Sequence, residues 1–320
     1  MAVYTHVDRA TLAGFLDKYA IGSLTSFEGV REGVENTNYS LVTDQGRYFL
    51  TLFEKRVAES DLPYFLDLMA NASRNGVPAP APIPDKRGVV LQRMLDRPAV
   101  IISFLEGKAR MKPSVEDCRA AGAMLARLHN ATADFKSSRA NALGPKGWNA
   151  LAVACAEGAD RCAHGLQRLI GDSLANLDLH WPKALPVGQI HADLFPDNVF
   201  FSGDEVSGVI DFYFACTDFL AYDLAITLNS WCFVDRAWRP RSAAAMIEGY
   251  KSIRPLRREE VEALPTLMRG GAIRFLLTRL YDWLNQDASA LVTVKDPLEY
   301  RDLLLFLEDA APESLYAAGS

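Results

Sequence analysis

The sequence predicts an α+β fold with two lobes, a small antiparallel β lobe followed by a larger, mainly helical lobe. Its 320 residues are enough for two lobes with a substantial core. Short strand-like runs separated by turns fill the first third of the chain, whereas helical patterns dominate after Gly107. A short apolar connector lies between these regions. We therefore expect one lobe over residues 1–104 and a second over residues 105–320.

Hydrophobic periodicity and turn residues define the elements of the first lobe. Residues 44–46, Asp-Gln-Gly, are typical of a hairpin turn. The proline-rich segment 77–84 is incompatible with a helix or a central strand. The predicted helices cover residues 8–18 and 62–73, and the predicted strands cover residues 24–27, 39–43, 48–53, 88–92 and 99–103.

The second lobe begins with a strong helical pattern over residues 115–130, which contains few β-branched residues. Asp223 precedes a helical run and is a candidate for its N-cap. Clear strands are expected only beside residue 193 and before residue 211. Further helices are predicted over residues 148–170, 223–228, 243–250, 258–284 and 297–307.

Charge and cysteine content exclude several classes of protein. The net charge of −6 argues against a general nucleic-acid binder, which would present clustered Lys and Arg. No window approaches about 18 uninterrupted apolar residues, and the N-terminus lacks the pattern of a signal peptide, so we expect no membrane partner. The five cysteines are odd in number and form no CxxC pair, which is typical of reduced thiols in a cytoplasmic protein. The sequence leaves the oligomeric state open.

The most informative pattern lies between His191 and Asp211. His191, Asp193 and Asn198 fit the H-x-D-x-x-x-x-N form of a kinase catalytic loop. Asp211 follows Asn198 by 13 residues and begins Asp-Phe-Tyr, in the manner of a metal-binding D-F-G segment. Phosphoryl transfer to an alcohol requires a carboxylate that accepts the hydroxyl proton, and oxygen ligands that hold Mg²⁺ against ATP. We predict Asp193 as the catalytic base, Asn198 and Asp211 as Mg²⁺ ligands, and His191 as a brace for the loop.

Two other interpretations of this pattern are weaker. Acidic turn residues between strands would produce a similar order of carboxylates without any catalytic role. A metal-dependent phosphoesterase would use the same residue types, but it usually needs more ligands than five scattered histidines provide.

The first lobe contains a weaker nucleotide-binding pattern. Gly33, Asn36 and Asn38 precede a strand, where backbone amides can cover phosphates, although an ordinary hairpin would use the same residues. The position of the strand lysine found in kinases corresponds to Thr51, so Lys55 or Arg56, just past the strand, would have to supply the cation. Either of them is equally compatible with a solvated strand end. The connector has the character of an adenine-binding hinge, with Ser103 and Leu105 as the predicted contacts.

Together these segments resemble the aminoglycoside-phosphotransferase-like kinases, and within them the homoserine kinases of threonine biosynthesis. The resemblance spans nearly the whole chain. It implies a protein-kinase-like fold and phosphorylation of the L-homoserine hydroxyl by ATP with Mg²⁺, yielding O-phospho-L-homoserine. It rests on EGVENTNY at 32–39, FLTLFE at 49–54, FLEG at 104–107, IHADLFPDNVFF at 190–201, VIDFYFACTDFLAYDLAITLNSWC at 209–232 and RFLLTRLYDW at 274–283.

A zwitterionic substrate needs an arginine for its carboxylate and oxygen atoms for its ammonium group. Arg274 and Arg279 lie in an otherwise apolar, helical pattern, where an unpaired charge is costly, so one of them is a candidate. Structural ion pairing is the alternative for each arginine. Tyr213 and Asn229 are further candidates for the acceptor pocket.

Two alternatives to homoserine kinase remain open at this level. A kinase of the same fold for an aminoglycoside, methylthioribose or choline would need an acidic patch or an aromatic cage in place of an amino-acid site. A catalytically silent nucleotide-binding protein is disfavoured because Asp193, Asn198 and Asp211 are all present.

Overall fold

The computed structural model describes residues 5–30, 36–54, 57–286 and 294–316. Packing divides the chain into two compact units, the N-terminal unit (Met1–Glu106) and the C-terminal unit (Gly107–Ser320). The predicted lobe boundary at residues 104 and 105 lies two residues before this division.

The N-terminal unit contains a five-stranded antiparallel sheet with the strand order β1-β2-β3-β5-β4. Alternate residues of β2 face the core, as the period of two requires, and these include Tyr39 and Leu41. They pack against Leu12 and Phe15 of α1. The elements are α1 (Arg9–Leu16), β1 (Leu24–Gly29), β2 (Thr37–Thr43), β3 (Gly46–Leu52), α2 (Leu62–Arg74), β4 (Gln92–Met94) and β5 (Arg97–Ser103).

The predicted strand over residues 88–92 is wrong. The Asp85 carboxylate accepts hydrogen bonds from the backbone N–H groups of Arg87 and Val89, which bends this segment into a turn with Gly88 at a φ of +85°. The strand starts at Gln92 instead and forms a hairpin with β5. The two turn residues of this hairpin, Leu95 and Asp96, have positive φ angles. Neither is Gly or Asn, so the sequence lacks the usual hairpin signal.

The C-terminal unit is mainly helical, as predicted. Two small antiparallel sheets, β6-β8-β9 and β7-β10, carry the loop between residues 191 and 198. The elements are β6 (Lys108–Ala109), α3 (Val115–Ala131), α4 (Pro145–Cys162), α5 (Leu166–His180), β7 (Val187–Ile190), β8 (Val199–Ser202), β9 (Glu205–Val209), β10 (Cys216–Phe219), α6 (Leu220–Cys232), β11 (Phe233–Val234), β12 (Ala237–Trp238), α7 (Pro240–Ile253), α8 (Arg258–Leu284) and α9 (Leu298–Asp309).

The helix predicted over residues 148–170 is two helices in the structure, α4 and α5. Gly165, at a φ of +78°, directly precedes α5, and this left-handed conformation interrupts the helical path. α3 begins with a capping box in which Ser114 and Asp117 satisfy each other's backbone N–H groups. No helix within the described ranges is long and apolar enough to cross a bilayer.

Candidate active site

A strand and a hairpin present the predicted catalytic loop. β7 leads into His191, and the loop ends at Asn198, directly before β8. The Nδ2 group of Asn198 donates to the backbone oxygen of Asp193 at 2.9 Å and to its carboxylate at 3.2 Å. The base and the first predicted metal ligand therefore lie side by side.

The β8–β9 hairpin brings Asp211 to the same place. Val199 pairs with Val209 across the hairpin, and the backbone N–H of Ile210 donates to the Asn198 carbonyl at 3.0 Å. The residue after Ile210 is Asp211, which adopts a left-handed conformation with a φ of +63°. The hairpin thus brings residues 12 apart into hydrogen-bond contact one position before Asp211, because Asn198 precedes its first strand and Ile210 follows its second.

His191 holds these two segments together. Its ring is fully buried, Nε2 lies 3.0 Å from the Ile210 carbonyl, and Nδ1 accepts from the backbone N–H of Asp193 at 3.3 Å. Burial lowers the pKa of His191, which favours the uncharged ring that this pairing requires. Both contacts agree with a bracing role.

Asp223 is a supporting residue that the sequence analysis assigned incorrectly. It lies inside α6, whose N-cap is Phe219, and is fully buried. Its carboxylate accepts from the backbone N–H groups of His191 at 2.6 Å and Ala192 at 2.7 Å. Asp223 therefore holds the start of the catalytic loop instead of capping a helix.

A buried chain of polar groups continues from Asp223 towards the surface. His129 Nε2 lies 3.0 Å from the Asp223 carboxylate, and His129 Nδ1 lies 2.8 Å from the Tyr250 hydroxyl. Arg254 donates to the Tyr250 hydroxyl at 3.2 Å and to the buried Glu260 carboxylate at 2.9 Å. No short sequence pattern links these residues, since they come from α3, α6, α7 and α8.

The charges around Asp193 oppose its ionisation. Burial, followed by the negative charge of Asp211, raises the pKa of Asp193 well above its usual value, while Arg274 and Lys295 act in the opposite direction. The two negative charges repel each other, and a divalent cation held by Asp211 would relieve the repulsion.

The side chains present fit Mg²⁺. Because Nδ2 of Asn198 points at Asp193, its Oδ1 is left as an acceptor, and Asp211 adds carboxylate oxygen, the donor type that Mg²⁺ prefers. Groups of three or more His, Cys, Asp or Glu side chains in metal-binding positions do not occur in the described ranges. A site with few protein ligands suits Mg²⁺, which usually completes its shell with water and phosphate oxygens.

The predicted substrate residues lie in different environments. Arg279 forms an ion pair with Glu299 at 2.6 Å and lies 4.5 Å from the Tyr300 ring, so the structural pairing considered for it is present. Asn229 is 2 % exposed and donates to the Met268 carbonyl at 2.8 Å. Arg274 is also buried and contacts the catalytic loop. Tyr213 is half-buried and follows Asp211 by two residues.

The nucleotide-binding residues predicted in the N-terminal unit are only partly described. Gly33, Lys55 and Arg56 lie outside the described residues. Asn38 faces Thr51 across the β2–β3 ladder, and the Thr51 hydroxyl donates to the Asn38 carboxamide oxygen at 2.8 Å. The position predicted for a strand lysine therefore holds a neutral hydrogen-bonded pair.

The remaining predicted contacts lie at or near the ends of strands in the same sheet. Asn36 is 6 % exposed, and its side-chain oxygen lies 3.4 Å from the backbone nitrogen of Glu54. Glu54, which the sequence analysis missed, accepts from the Thr37 hydroxyl at 2.7 Å and pairs with Arg97 at 3.4 Å. Ser103 and Leu105 are half-buried, and the Ser103 hydroxyl accepts from the backbone N–H of Ala81 at 2.9 Å.

Solved structures of small-molecule kinases share this fold. Spectinomycin phosphotransferase in complex with ADP and spectinomycin aligns with a TM-score of 0.74 and 14 % identity, over 97 % of this chain and all of that one. Amicoumacin kinase in complex with AMP-PNP aligns with a TM-score of 0.73 and 15 % identity, over 95 % and 94 % of the two chains. These likenesses confirm the predicted kinase-like α+β fold.

Sequence relatives are much closer. The phosphotransferase enzyme family matches residues 26–256. Homoserine kinase from Methylobacterium sp. (strain 4-46) is 54 % identical over 307 residues, which cover 96 % of each protein. Homoserine kinase from Parvibaculum lavamentivorans is 51 % identical over 317 residues and 99 % of each protein. The chain therefore belongs to the phosphotransferase enzyme family and, within it, to the homoserine kinases.

Proposed function

We propose that this protein transfers the terminal phosphoryl group of ATP to the side-chain hydroxyl of L-homoserine, forming O-phospho-L-homoserine and ADP. The observation that carries this proposal is the identity of just over half to homoserine kinases along nearly the full chain. The arrangement of Asp193, Asn198 and Asp211 supports the same chemistry, because it places a base beside metal-ligand oxygens.

Asp193 is proposed to act as the general base. Its carboxylate accepts the proton of the homoserine hydroxyl as the oxygen attacks the terminal phosphorus, and the bond to the bridging oxygen of ADP breaks. A carboxylate with a raised pKa is the stronger base, which suits proton abstraction from an alcohol. The hydrogen bond from Asn198 holds the Asp193 carboxylate in place, and because the amide is neutral it adds no positive charge beside the carboxylate.

Asn198 and Asp211 are proposed to hold Mg²⁺. When bound, the ion neutralises phosphate charge and fixes the orientation of the transferred group. The left-handed backbone of Asp211 and the hairpin contact at Ile210 orient these two ligands before the ion arrives.

Nucleotide binding is proposed for Gly33, Asn36, Asn38 and Lys55, with Ser103 and Leu105 as adenine contacts. The support within the described residues is the β2–β3 ladder, which presents the amide of Asn38 beside Thr51. The side-chain oxygen of Asn38 accepts a hydrogen bond from Thr51, so the Nδ2 group of Asn38 remains as a donor for an anion.

The acceptor site is proposed to include Tyr213, which lies close to Asp211 in sequence and is half-buried. Asn229 and Arg279 stay as predictions, although both already have protein partners. A role in threonine biosynthesis follows from the proposed reaction, and free thiols at all five cysteines support a reducing, cytoplasmic setting.

The experiment that tests this function is a coupled assay of ADP release with ATP and Mg²⁺. L-Homoserine is expected to be turned over, whereas kanamycin, choline and methylthioribose are not. Turnover of one of those three compounds, with none on homoserine, would refute the proposal.

A further inference from the structure

Arg274 is buried without the partner that a buried charge usually has. It is 1 % exposed, and within the described part of the chain no carboxylate forms an ion pair with it. Its guanidinium lies 4.6 Å from the ring of Phe275 and 5.6 Å from that of Phe214. The Nε–H group is buried without an acceptor among the same residues. Isolating a guanidinium in this way is costly, so its one strong polar contact is informative.

That contact is with the catalytic loop. Nη1 of Arg274 donates to the backbone oxygen of Ala192 at 2.6 Å, over a separation of 82 residues. Ala192 is fully buried and has a φ of +62°, a conformation that disfavours any residue with a Cβ. It persists only where its surroundings hold it.

The backbone of Ala192 is held on both sides. Its N–H donates to the Asp223 carboxylate on α6 at 2.7 Å, and its C=O accepts from Arg274 on α8. Both hydrogen bonds are charge-assisted, and such bonds are stronger and more directional than neutral ones. Since Asp193 is the next residue, the orientation of the Ala192 backbone determines where the Asp193 carboxylate points.

We propose that Arg274 is a positioning residue: with Asp223 it clamps Ala192 in the left-handed conformation and so aims Asp193, and it does not bind the substrate carboxylate. The inference rests on the proposed function, because its main readout is turnover of homoserine. It replaces the substrate-binding role predicted for Arg274 from its position in an apolar helix. Two observations support the replacement: the guanidinium is buried, and its Nη1 donates a short hydrogen bond to the backbone of the loop.

Kinetic constants for Arg274→Met and Arg274→Lys distinguish the two roles. In Arg274→Met the Asp193 carboxylate is no longer held in its orientation, so kcat is expected to fall about 100-fold. The KM for L-homoserine should stay within about threefold, because the clamp contributes no substrate contact. Arg274→Lys, which restores a charged donor, should recover part of kcat.

Arg269→Met is the matched control on the same helix. Arg269 also donates to a backbone carbonyl, that of Leu307, at 3.1 Å from Nε and 3.0 Å from Nη2, but it does not contact the catalytic loop. Its removal is expected to leave kcat within about twofold of the unsubstituted protein. A general loss of activity from damage to α8 would affect both variants alike and would overturn the specific role of Arg274.

A rise of about 30-fold or more in KM with kcat retained in Arg274→Met would assign Arg274 to the substrate carboxylate. Unchanged kcat would also refute the clamp. If Arg274→Met does not fold, kcat and KM are measured for Arg274→Lys and Arg274→Gln instead, and the same two outcomes distinguish the roles.

A second measurement does not depend on catalysis. Amide hydrogen exchange at Ala192 should be faster in Arg274→Met, or in Arg274→Gln if the former does not fold, than in the unsubstituted protein, whereas equal exchange would refute the clamp. If the unsubstituted protein does not turn over homoserine, the proposed function is refuted instead. The exchange measurement then still tests whether Arg274 holds the Ala192 backbone.

Discussion

The catalytic loop of the C-terminal unit and the β2–β3 region of the N-terminal unit are both predicted to contact ATP, but they are built differently. In the loop, Asp193 and Asn198 are in direct contact, and buried charged side chains from two helices support the backbone between His191 and Asp193. In the β2–β3 region, Asn38 and Thr51 are placed only by the register of a ladder and by one neutral hydrogen bond. The predicted catalytic residues thus have a buried polar network behind them, whereas the predicted nucleotide contacts rely on the sheet itself.

The largest effect is expected at Asp193. Replacement of Asp193 by Asn keeps the shape and removes the base, so kcat should fall by about 1000-fold. Steady-state turnover of homoserine measures this, with the melting temperature as a check that the protein is folded. A variant that is folded and fully active would show that the loop does not carry the chemistry.

The metal ligands come next. Asp211→Asn should raise the Mg²⁺ concentration for half-maximal activity by about 10- to 100-fold, because an amide is a weaker ligand than a carboxylate. Asp197→Asn is the matched control: Asp197 precedes Asn198, but its half-exposed side chain pairs with Lys295 at 3.6 Å. If the two variants had the same Mg²⁺ dependence, Asp211 would not be a ligand.

The buried network makes a prediction about pH. Burial opposes ionisation of Asp223, but the hydrogen bond from His129 and those from the loop outweigh it and hold the pKa of Asp223 below its usual value. An aspartate with a lowered pKa stabilises the folded state above its unfolded pKa of about 4, and this contribution is lost as the pH falls through the folded pKa.

Asp223→Asn should therefore lower the free energy of unfolding at pH 7 by about 3–5 kcal/mol and flatten its decline under acidic conditions. Denaturant unfolding between pH 7 and pH 3 measures both effects. Asp172→Asn serves as the control, because Asp172 is exposed and pairs only with Arg168 at 3.5 Å, so a change below about 1 kcal/mol is expected. An equal effect of the two substitutions would contradict the structural importance of the network.

The smallest effect is expected in the β2–β3 region. Thr51→Val removes the hydroxyl that orients Asn38, which should cost about 1 kcal/mol of stability. The KM for ATP should rise by a few-fold while kcat is nearly retained, because the Thr51 hydroxyl has no predicted role in the chemical step. Parallel titrations of ATP and homoserine test this. A loss of kcat as large as that of Asp193→Asn would remove the contrast between the two regions.

The sequence predicted those parts of the site that lie close together in the chain. His191, Asp193 and Asn198 fall within eight residues, and Asp211 is joined to them by a single hairpin, so spacing alone suggested their proximity. The alternation of buried residues likewise predicted most of the N-terminal sheet. The strand predicted over residues 88–92 does not form, because the Asp85 carboxylate accepts hydrogen bonds from the backbone N–H groups of Arg87 and Val89 and holds the segment in a turn.

The supporting residues were not predictable in this way. Asp223 and Arg274 reach the loop from two helices, and His129 supports Asp223 from a third. Their roles depend on tertiary contacts over as many as 121 residues in the connected network. The one available signal was an arginine in an apolar helical pattern. It indicated a buried charge correctly, but it did not distinguish a substrate contact from a backbone contact.

The central claim is that the homoserine hydroxyl is the group that attacks phosphorus. L-Homoserine labelled with ¹⁸O in its side-chain hydroxyl, incubated with ATP, Mg²⁺ and the protein, tests it by ³¹P NMR of the product. The account predicts a phosphate ester whose phosphorus resonance shows the isotope shift of a bridging ¹⁸O. A phosphorylated product without that shift, or no product at all, would contradict it.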